Sequence, residues 1–439
     1  MSLKFGTDGV RAEAFTVLTT QYVAALANAA AQVLGGGSWL IGRDTRESGP
    51  ALEAAVAAGL AAAGAQPISV GIVPTPALAW LSAQRGLPAA MITASHNPWQ
   101  DNGVKFFGAG GLKLSDSVER AIESLLQRDG VVPHNVVPSH SDALGNYVDH
   151  MVSLGRPVSL GDPLHGLKVV LDCANGAMCV AAPAVFRALG ADVVVIHDSP
   201  NGRNINDHCG ATHVQSLAAA VVAEGASVGL AFDGDGDRVI AIDELGNAVD
   251  GDRLIALAAI QLRDEGHLHA DTVVVTVMSN LGFHKAMAAA GIEVMTTDVG
   301  DRYVLEALDA HGHSVGGEQS GHIIYRDLAT TGDGLLAGMR LAQFVHDGGH
   351  SLAALASGVM TSYPQVLLNV RVRDRHPNAA DELAAEIQSA EATLDGDGRI
   401  LVRASGTEPL IRVMVEAATE SIAQSVAEGL VIAVHARFG

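Results

Sequence analysis

The sequence has few cysteines and a deficit of positive charge. Its 439 residues include three cysteines, and 27 Lys and Arg stand against 48 Asp and Glu, for a formal net charge of −21. Cys173, Cys179 and Cys209 are odd in number and form no C-x-x-C pair, which argues against a disulfide framework. The acidic balance excludes nonspecific nucleic-acid binding through a basic face.

An acidic chain can bind an anion only where positive charge is locally concentrated. The candidate cations are Arg11, Lys105, Arg238, Arg403 and Arg412.

Long uncharged runs are present, but none predicts a membrane span. Residues 14–42 carry polar side chains and three consecutive glycines, and residues 54–84 are interrupted by Pro67, Pro74 and Pro76. The N-terminus lacks the basic start, apolar run and cleavage site of a signal peptide. We therefore expect a cytoplasmic protein with no membrane partner.

The hydrophobic pattern predicts repeated α/β domains. Strand–helix–strand units of similar spacing cover residues 38–71, 167–197 and 272–296. After Tyr363 the pattern changes to one typical of a small α+β domain with an antiparallel sheet. Gly-, Pro- and polar-rich segments separate these regions. The predicted domains are 1–153, 154–247, 248–361 and 362–439.

Asp233, Asp235 and Asp237 form an acidic loop between two apolar runs. Three carboxylates within five residues repel one another unless a cation neutralises them, and oxygen-only ligands suit Mg²⁺. A solvated acidic turn is the alternative. A calcium loop is excluded, because Arg238 takes the sixth position, where such a loop needs glycine, and the flanking segments are strands.

Ser95 follows the apolar run 89–93 and precedes Asn97-Pro98, which predicts a turn at an exposed strand end. A serine there can simply hydrogen-bond the turn. The chain has no G-x-S-x-G elbow around Ser95, which weakens a hydrolase reading. Beside a metal loop, the hydroxyl can instead carry a phosphoryl group as a covalent intermediate.

Residues 403–409 lie between two predicted strands. The Ser405 and Thr407 hydroxyls, the Gly406 backbone and the guanidinium groups of Arg403 and Arg412 can together wrap a phosphate. A plain hairpin is the alternative, but a turn does not require guanidinium groups.

Residues 317–322 offer groups suited to a sugar. Glu318 and Ser320 can hydrogen-bond hydroxyls or an amine, and His322 can exchange a proton near neutral pH. The chain has 18 histidines, so a single one is weak evidence.

These segments occur in the order 93–98, 233–238, 317–322 and 403–409, after Phe5-Gly-Thr-Asp-Gly-Val-Arg11. In this order they resemble the α-D-phosphohexomutase superfamily over nearly the whole chain. Gln319 and the segments 298–303 and 330–334 look like the branch of bacterial phosphoglucosamine mutases. The resemblance implies four domains around a central cleft: three related mixed α/β domains and a smaller C-terminal α+β domain.

The resemblance also implies a role for each site residue. Ser95 would be the phosphoserine, and its covalent phosphate would bind one Mg²⁺ per subunit together with Asp233, Asp235 and Asp237. Lys105 and His322 would be proton-transfer candidates, and Arg11 and Arg238 would line the catalytic centre. Glu318 and Ser320 would bind the sugar. The non-reacting phosphate would be held by Arg403, Ser405, Gly406, Thr407 and Arg412.

The implied reaction interconverts glucosamine 6-phosphate and glucosamine 1-phosphate through a 1,6-bisphosphate, feeding UDP-N-acetylglucosamine and cell-wall synthesis. The resemblance also suggests a homodimer. The alternatives are a phosphomannomutase/phosphoglucomutase and a catalytically silent sugar-phosphate or metal-binding protein. Two positions depart from the family pattern: Ala12 stands where glycine is typical, and Val214 where proline is usual. Neither removes a functional group.

Overall fold

The structure, a computed structural model, describes residues 3–6, 8–126, 136–156, 162–405 and 409–439. By their contacts, the described residues form two compact units. The first contains the residues up to Met278 together with Ile292–Ser357. The second contains Ser279–Gly291 and Gly358–Gly439.

The first sheet of the first unit has strand order β1-β5-β4-β2-β3-β7, with β6 added beside β5. Strands β2, β3 and β4 run parallel, and β5 is antiparallel to β4. Helices α1 and α2 pack so closely that a Cβ on Gly59 would overlap the Ala24 carbonyl. The elements are β1 Val10–Glu13, α1 Thr20–Leu34, β2 Ser38–Arg43, α2 Gly49–Ala62, β3 Gln66–Ile72, α3 Thr75–Arg85, β4 Ala89–Ile92, β5 Asp101–Gly108, β6 Leu112–Lys113, α4 Asp116–Leu125, β7 Ser139–His140 and α5 Leu144–Gly155.

The second sheet has order β12-β11-β10-β8-β9. Its strands β8 and β10 are parallel neighbours, and β10 is buried along its whole length. The elements are β8 Lys168–Asp172, α6 Met178–Ala188, β9 Asp192–Ile196, α7 Gln215–Glu224, β10 Val228–Phe232, β11 Val239–Asp243 and β12 Ala248–Val249.

The third sheet has order β14-β13-β15-β16, with β13 parallel to both β14 and β15. The elements of this stretch of chain are α8 Gly251–Asp264, β13 Thr272–Thr276, α9 Leu281–Ala289, β14 Glu293–Thr297, α10 Asp301–His311, β15 Val315–Gly317, β16 Ile323–Tyr325, α11 Gly334–Gly348 and α12 Leu352–Val359. Of these, α9 lies within the second unit.

The second unit contains an antiparallel sheet of order β17-β19-β18 with its own apolar core. Glu416 on β19 accepts the backbone N–H of Leu281 at 2.8 Å, which joins the start of α9 to this sheet. The elements are β17 Gln365–Arg371, α13 Ala379–Glu382, α14 Ala384–Thr393, β18 Gly398–Ala404, β19 Leu410–Ala417 and α15 Glu420–Phe438.

The strand ends of the first unit carry the candidate site residues. Ser95 follows β4, Asp233 directly follows β10, and Glu318 directly follows β15. In sheets with parallel strands, ligands bind beyond the carboxyl ends of the strands. The three predicted strand–helix–strand units are present as β2-α2-β3, β8-α6-β9 and β13-α9-β14.

Candidate active site

Ser95 lies in a tight, buried turn rather than at an exposed strand end. Its side chain is almost wholly inaccessible, and its φ of 50° is in the left-handed region. Its carbonyl oxygen accepts hydrogen bonds from Arg46 and from Asn206, both at 2.9 Å. The prediction of an exposed turn was wrong because these two side chains, distant in sequence, cover the turn.

The Ser95 hydroxyl meets the acidic loop. Its Oγ donates to Asp233 Oδ2 at 2.5 Å. Burial, together with the charges of Asp237 and Asp235, raises the pKa of Asp233 well above its ordinary value. The nucleophile-type oxygen and the carboxylate cluster are therefore in direct contact.

The three carboxylates of the acidic loop are buried and converge. One oxygen from each of Asp233, Asp235 and Asp237 lies within 4.8 Å of the others. Asp233 Oδ1 accepts two backbone N–H groups of the loop, whereas the Oδ1 atoms of Asp235 and Asp237 accept no hydrogen bond from any described residue. Buried carboxylate oxygens without a donor are costly, and a hard divalent cation satisfies them. The residues therefore fit a metal ion such as Mg²⁺.

Lys105 balances part of this negative charge. Its Nζ lies 2.8 Å from Asp235, 3.2 Å from Asp237 and 3.1 Å from Asp8. Burial opposes a charge on Lys105, but the carboxylates of Asp235, Asp8 and Asp237 outweigh it and raise its pKa well above the ordinary value. Burial likewise opposes the charge on Asp237, yet Lys105 and His322 hold its pKa well below the ordinary value.

The charged network extends through three residues to which sequence reasoning gave no role: Asp8, Lys113 and Asp301. Lys113 Nζ contacts Asp8 Oδ1 at 3.1 Å and also pairs with Asp301. His322 Nε2 lies 3.3 Å from Asp301, and its Nδ1 lies 3.6 Å from Asp237. Burial opposes a charge on His322, but Asp301 and Asp237 raise its pKa. Asp8 and Asp301 fall within segments used for the family resemblance, which was the available signal.

Arg11 and Arg238 border the same cluster. Arg11 pairs with Asp8, and Arg238 Nε lies 3.9 Å from Asp237 Oδ1. Burial and these two guanidinium groups lower the pKa of His96 to about 4. His96 Nδ1 lies 3.3 Å from Ser95 Oγ, so a neutral imidazole is adjacent to the hydroxyl at neutral pH.

The sugar-loop candidates occupy the turn between β15 and β16, and this turn is hydrogen-bonded to the acidic loop region. Val239 N–H donates to Gly321 O at 3.0 Å, and Arg238 pairs with His322 in an isolated β-bridge. Glu318 Oε1 accepts Gly300 N–H at 3.2 Å. Ser320 is exposed. The structure thus brings two of the four predicted segments into direct contact through their backbones.

Asp333 supports the acidic loop from the start of α11. Its Oδ1 accepts the N–H groups of Leu335 and Leu336 at 3.0 Å, and Tyr147 donates its hydroxyl to Oδ2 at 2.8 Å. The next residue, Gly334, donates its N–H to Gly236 O within the acidic loop at 3.1 Å. Burial raises the pKa of Asp333 to about 6.

The predicted phosphate loop belongs to the second unit. Arg403 and Arg412 are directly paired across β18 and β19, so both side chains leave the same face. Arg412 Nε is buried and makes no hydrogen bond with any described residue. Like charges directly opposite one another destabilise a sheet. Ser405 is buried, and its N–H donates to Leu410 O at 2.7 Å. Gly406 and Thr407 lie outside the described residues.

Four domain families of phosphoglucomutase/phosphomannomutase match the chain in order. Alpha/beta/alpha domains I, II and III match residues 2–131, 145–246 and 250–363, and the C-terminal domain matches 367–433. The chain belongs to the phosphoglucomutase/phosphomannomutase family. This confirms the predicted superfamily, the fold class of three α/β domains with a C-terminal domain, and an enzyme of the isomerase class. The boundaries at 153, 247 and 361 stay a prediction.

Curated relatives of this family member are named phosphoglucosamine mutase, as the predicted branch requires. The relative from Frankia casuarinae is 51% identical over 450 residues, covering 98% of each chain. The relative from Moorella thermoacetica is 48% identical over 443 residues, covering 98% of each.

Two solved structures share the fold. A phosphoglucomutase/phosphomannomutase family protein from Burkholderia thailandensis matches with a TM-score of 0.80 at 24% identity, covering 98% of this chain and 97% of that one. Aspergillus fumigatus N-acetylphosphoglucosamine mutase, in complex with GlcNAc-6P and magnesium, matches with a TM-score of 0.71 at 19% identity, covering 100% and 96%. In the described part of the chain, no helix is long and apolar enough to cross a membrane.

Proposed function

We propose that this enzyme interconverts glucosamine 6-phosphate and glucosamine 1-phosphate, with Ser95 as the phosphoryl carrier. The observation that carries the proposal is the 2.5 Å contact between Ser95 Oγ and Asp233 inside a cluster of three buried carboxylates. A serine hydroxyl beside a metal-binding cluster is suited to metal-assisted phosphoryl transfer, whereas a serine that only forms a turn does not need a carboxylate cluster beside it. The names of the curated relatives support the glucosamine substrate.

Asp233, Asp235 and Asp237 would hold one Mg²⁺ together with an oxygen of the phosphate on Ser95. When bound, the ion would offset negative charge on the transferring group. Lys105 and Arg238 pair with carboxylates of this cluster, and Arg11 and Lys113 pair with Asp8, which itself contacts Lys105. Their fixed positions supply the rest of the charge balance, which is the main protein contribution to phosphoryl transfer.

In the first step the free hydroxyl oxygen of the sugar forms a bond to phosphorus while the bond from phosphorus to Ser95 Oγ breaks. The sugar hydroxyl loses its proton to a group of the protein, and the leaving Ser95 oxygen takes up a proton. Lys105 and His322 are the candidates for these two transfers, and the raised pKa of Lys105 keeps it protonated, which suits it to donate. The product of this step is the 1,6-bisphosphate. After the sugar has reversed its orientation, Ser95 takes the other phosphate and the second monophosphate leaves.

We assign sugar binding to Glu318 and Ser320. The phosphate that is not transferred is assigned to Arg403, Ser405, Gly406, Thr407 and Arg412. The direct cross-strand pairing of the two arginines supports the second assignment, since a phosphate accepts bonds from two guanidinium groups at once. Cytoplasmic location remains a prediction from the sequence, to be checked by cell fractionation, and a homodimer remains a prediction from the resemblance, to be checked by light scattering.

The test is a comparison of kcat/KM on the 6-phosphates of glucosamine, glucose and mannose, with products followed by phosphorus NMR. We expect glucosamine 6-phosphate to be preferred. Preference for glucose or mannose would favour a phosphoglucomutase or phosphomannomutase, and no turnover on any would favour a silent binding protein.

The covalent route is tested separately with Ser95→Ala, using Ser117→Ala as the control because Ser117 is exposed near the start of α4. Ser95→Ala should abolish turnover while sugar-phosphate binding stays measurable, and Ser117→Ala should keep the wild-type rate. Full activity in Ser95→Ala would refute the route through phosphoserine.

A further inference from the structure

A second group of metal-type ligands lies at the ends of β8 and β9, outside the acidic loop. Asp172 ends β8, His197 directly follows β9, and Cys209 lies in the segment before α7. One ligand atom from each lies within 4.8 Å of the other two. Asp172 and Cys209 are fully buried, and the His197 side chain is 30% exposed. The three residue types together offer an oxygen, a nitrogen and a sulfur.

The spacing of the nitrogen and oxygen atoms is that of neighbouring metal ligands. His197 Nδ1 lies 3.1 Å from Asp172 Oδ1. The Nδ1 atom is buried and has the Asp172 carboxylate as its partner, although their geometry falls outside that of a hydrogen bond. In a tetrahedral site with metal–ligand bonds of about 2.1 Å, adjacent ligand atoms are about 3.4 Å apart. These two atoms therefore need little movement to share one ion.

Backbone and side-chain donors hold the other ligands in place. Asp172 Oδ1 accepts Ala174 N–H and its Oδ2 accepts Gly210 N–H, both at 2.9 Å. Asn175 Nδ2 lies 3.9 Å from Cys209 Sγ. Donors of this kind orient metal ligands in known sites. The His197 side chain is partly exposed, although its Nδ1 atom is buried.

We propose that Asp172, His197 and Cys209 form a binding site for a thiophilic divalent metal, Zn²⁺ above all, separate from the Asp233 cluster. Nitrogen and sulfur donors favour Zn²⁺, whereas the oxygen-only cluster suits Mg²⁺. Binding forms a bond from the metal to Cys209 Sγ and releases the thiol proton to solvent. Binding of this metal does not require the proposed mutase activity.

The site is linked to the Ser95 turn through Asn206. The Asn206 side chain donates to the carbonyl oxygens of Ser95 and Asn97, at 2.9 and 3.1 Å. The Asn206 backbone N–H donates to Ala174 O at 2.9 Å. A metal joining Asp172, His197 and Cys209 would fix the segment that carries Asn206. We therefore expect bound Zn²⁺ to raise the thermal unfolding temperature.

The experiment uses the full-length chain, freed of metal and then kept in excess Mg²⁺ so that the Asp233 cluster is filled. Zn²⁺ is titrated by calorimetry, and Co²⁺ by absorption. We expect one Zn²⁺ per chain at this site. Co²⁺ should give a thiolate-to-metal charge-transfer band that is absent in Cys209→Ser.

The decisive variant is His197→Asn, because asparagine tolerates the positive φ of 50° at this position. The matched control is His208→Asn, since His208 also has a positive φ of 52° and its side chain is 89% exposed. Loss of an outer partner alone costs about 10- to 100-fold in metal affinity, so loss of the ligand should weaken Zn²⁺ by more than about 100-fold. The control should bind Zn²⁺ as the wild type does.

Equal Zn²⁺ affinity in wild type and His197→Asn would overturn the proposal, as would loss of binding in His208→Asn instead. Absence of the charge-transfer band in a wild type that binds Co²⁺ would also overturn it. Such results would leave Asp172 and His197 as an ion pair only. Because His197 is partly exposed, this variant decides the question even if the buried Cys209→Ser substitution impairs folding.

Discussion

Arg46 is expected to be the main support of the Ser95 turn. Its side chain is buried, and its guanidinium group uses all five of its N–H donors. One bonds to Asp44 and four to backbone carbonyl oxygens. Those carbonyls belong to Ser95, Asn97, Pro98 and Asp101.

The substitution Arg46→Lys keeps the charge but offers only three donors. At least two hydrogen bonds are then lost, and each bond to a charged group contributes about 1.5–3 kcal/mol. We therefore predict that the free energy of unfolding falls by about 3–6 kcal/mol. The turnover number should fall as well, because the Ser95 carbonyl loses a donor that fixes the turn.

The assay is urea unfolding followed by tryptophan fluorescence. The three tryptophans, Trp39, Trp80 and Trp99, all lie in the N-terminal region of the chain, so the signal reports on the sheet that carries Ser95. The matched control is Arg43→Lys. Arg43 pairs with Glu53 at 2.9 Å, and a lysine keeps the charge that makes this pair, so the control should lose less than about 1 kcal/mol. Equal stability of the two variants would refute the reasoning.

Three further predictions concern the acidic loop, its support and the phosphate loop. Asp235→Asn removes one negative charge facing a doubly charged ion. Two unit charges about 4 Å apart at an effective dielectric constant of about 20 interact by about 4 kcal/mol, so calorimetry should show Mg²⁺ affinity reduced by at least about a thousandfold, and unchanged affinity would count against the loop. Burial raises the pKa of Asp333 from 3.8 to about 6, so the contribution of Asp333 to wild-type stability should fall by about 3 kcal/mol as the pH rises from about 4 to above 6. In Asp333→Asn this fall should disappear from urea-unfolding curves, and its persistence would contradict the assignment. Arg412→Lys loses the planar fork and should raise KM for the sugar phosphate more than it lowers kcat; an unchanged KM in steady-state assays would exclude a role in phosphate binding.

Local patterns predicted the elements that local forces determine. β8, Lys168–Asp172, is an apolar run that ends at a carboxylate, and its first residue differs by one from the start of the predicted unit at residue 167. The acidic loop was likewise visible because its three carboxylates alternate within one turn. Such features depend on neighbours in the chain, which a single sequence displays.

Features that depend on distant partners were missed. The burial of Ser95 results from Arg46 and Asn206, 49 and 111 residues away. Lys113 joins the site by pairing with Asp301, 188 residues away. Nothing in the local pattern around Lys113 distinguishes it from a lysine on the surface. The pairing appears only when the strands are placed in one sheet or in neighbouring sheets.

The most direct test of the central claim is to locate the phosphoryl group on the enzyme and follow its transfer. The purified chain is labelled with radioactive sugar 1,6-bisphosphate, digested and mapped by mass spectrometry, and then chased with unlabelled glucosamine 6-phosphate. We predict label on Ser95 alone, passing to the sugar when Mg²⁺ is present and staying on the enzyme when the metal is chelated. Label on another residue, or equal labelling of Ser95→Ala, would contradict the account.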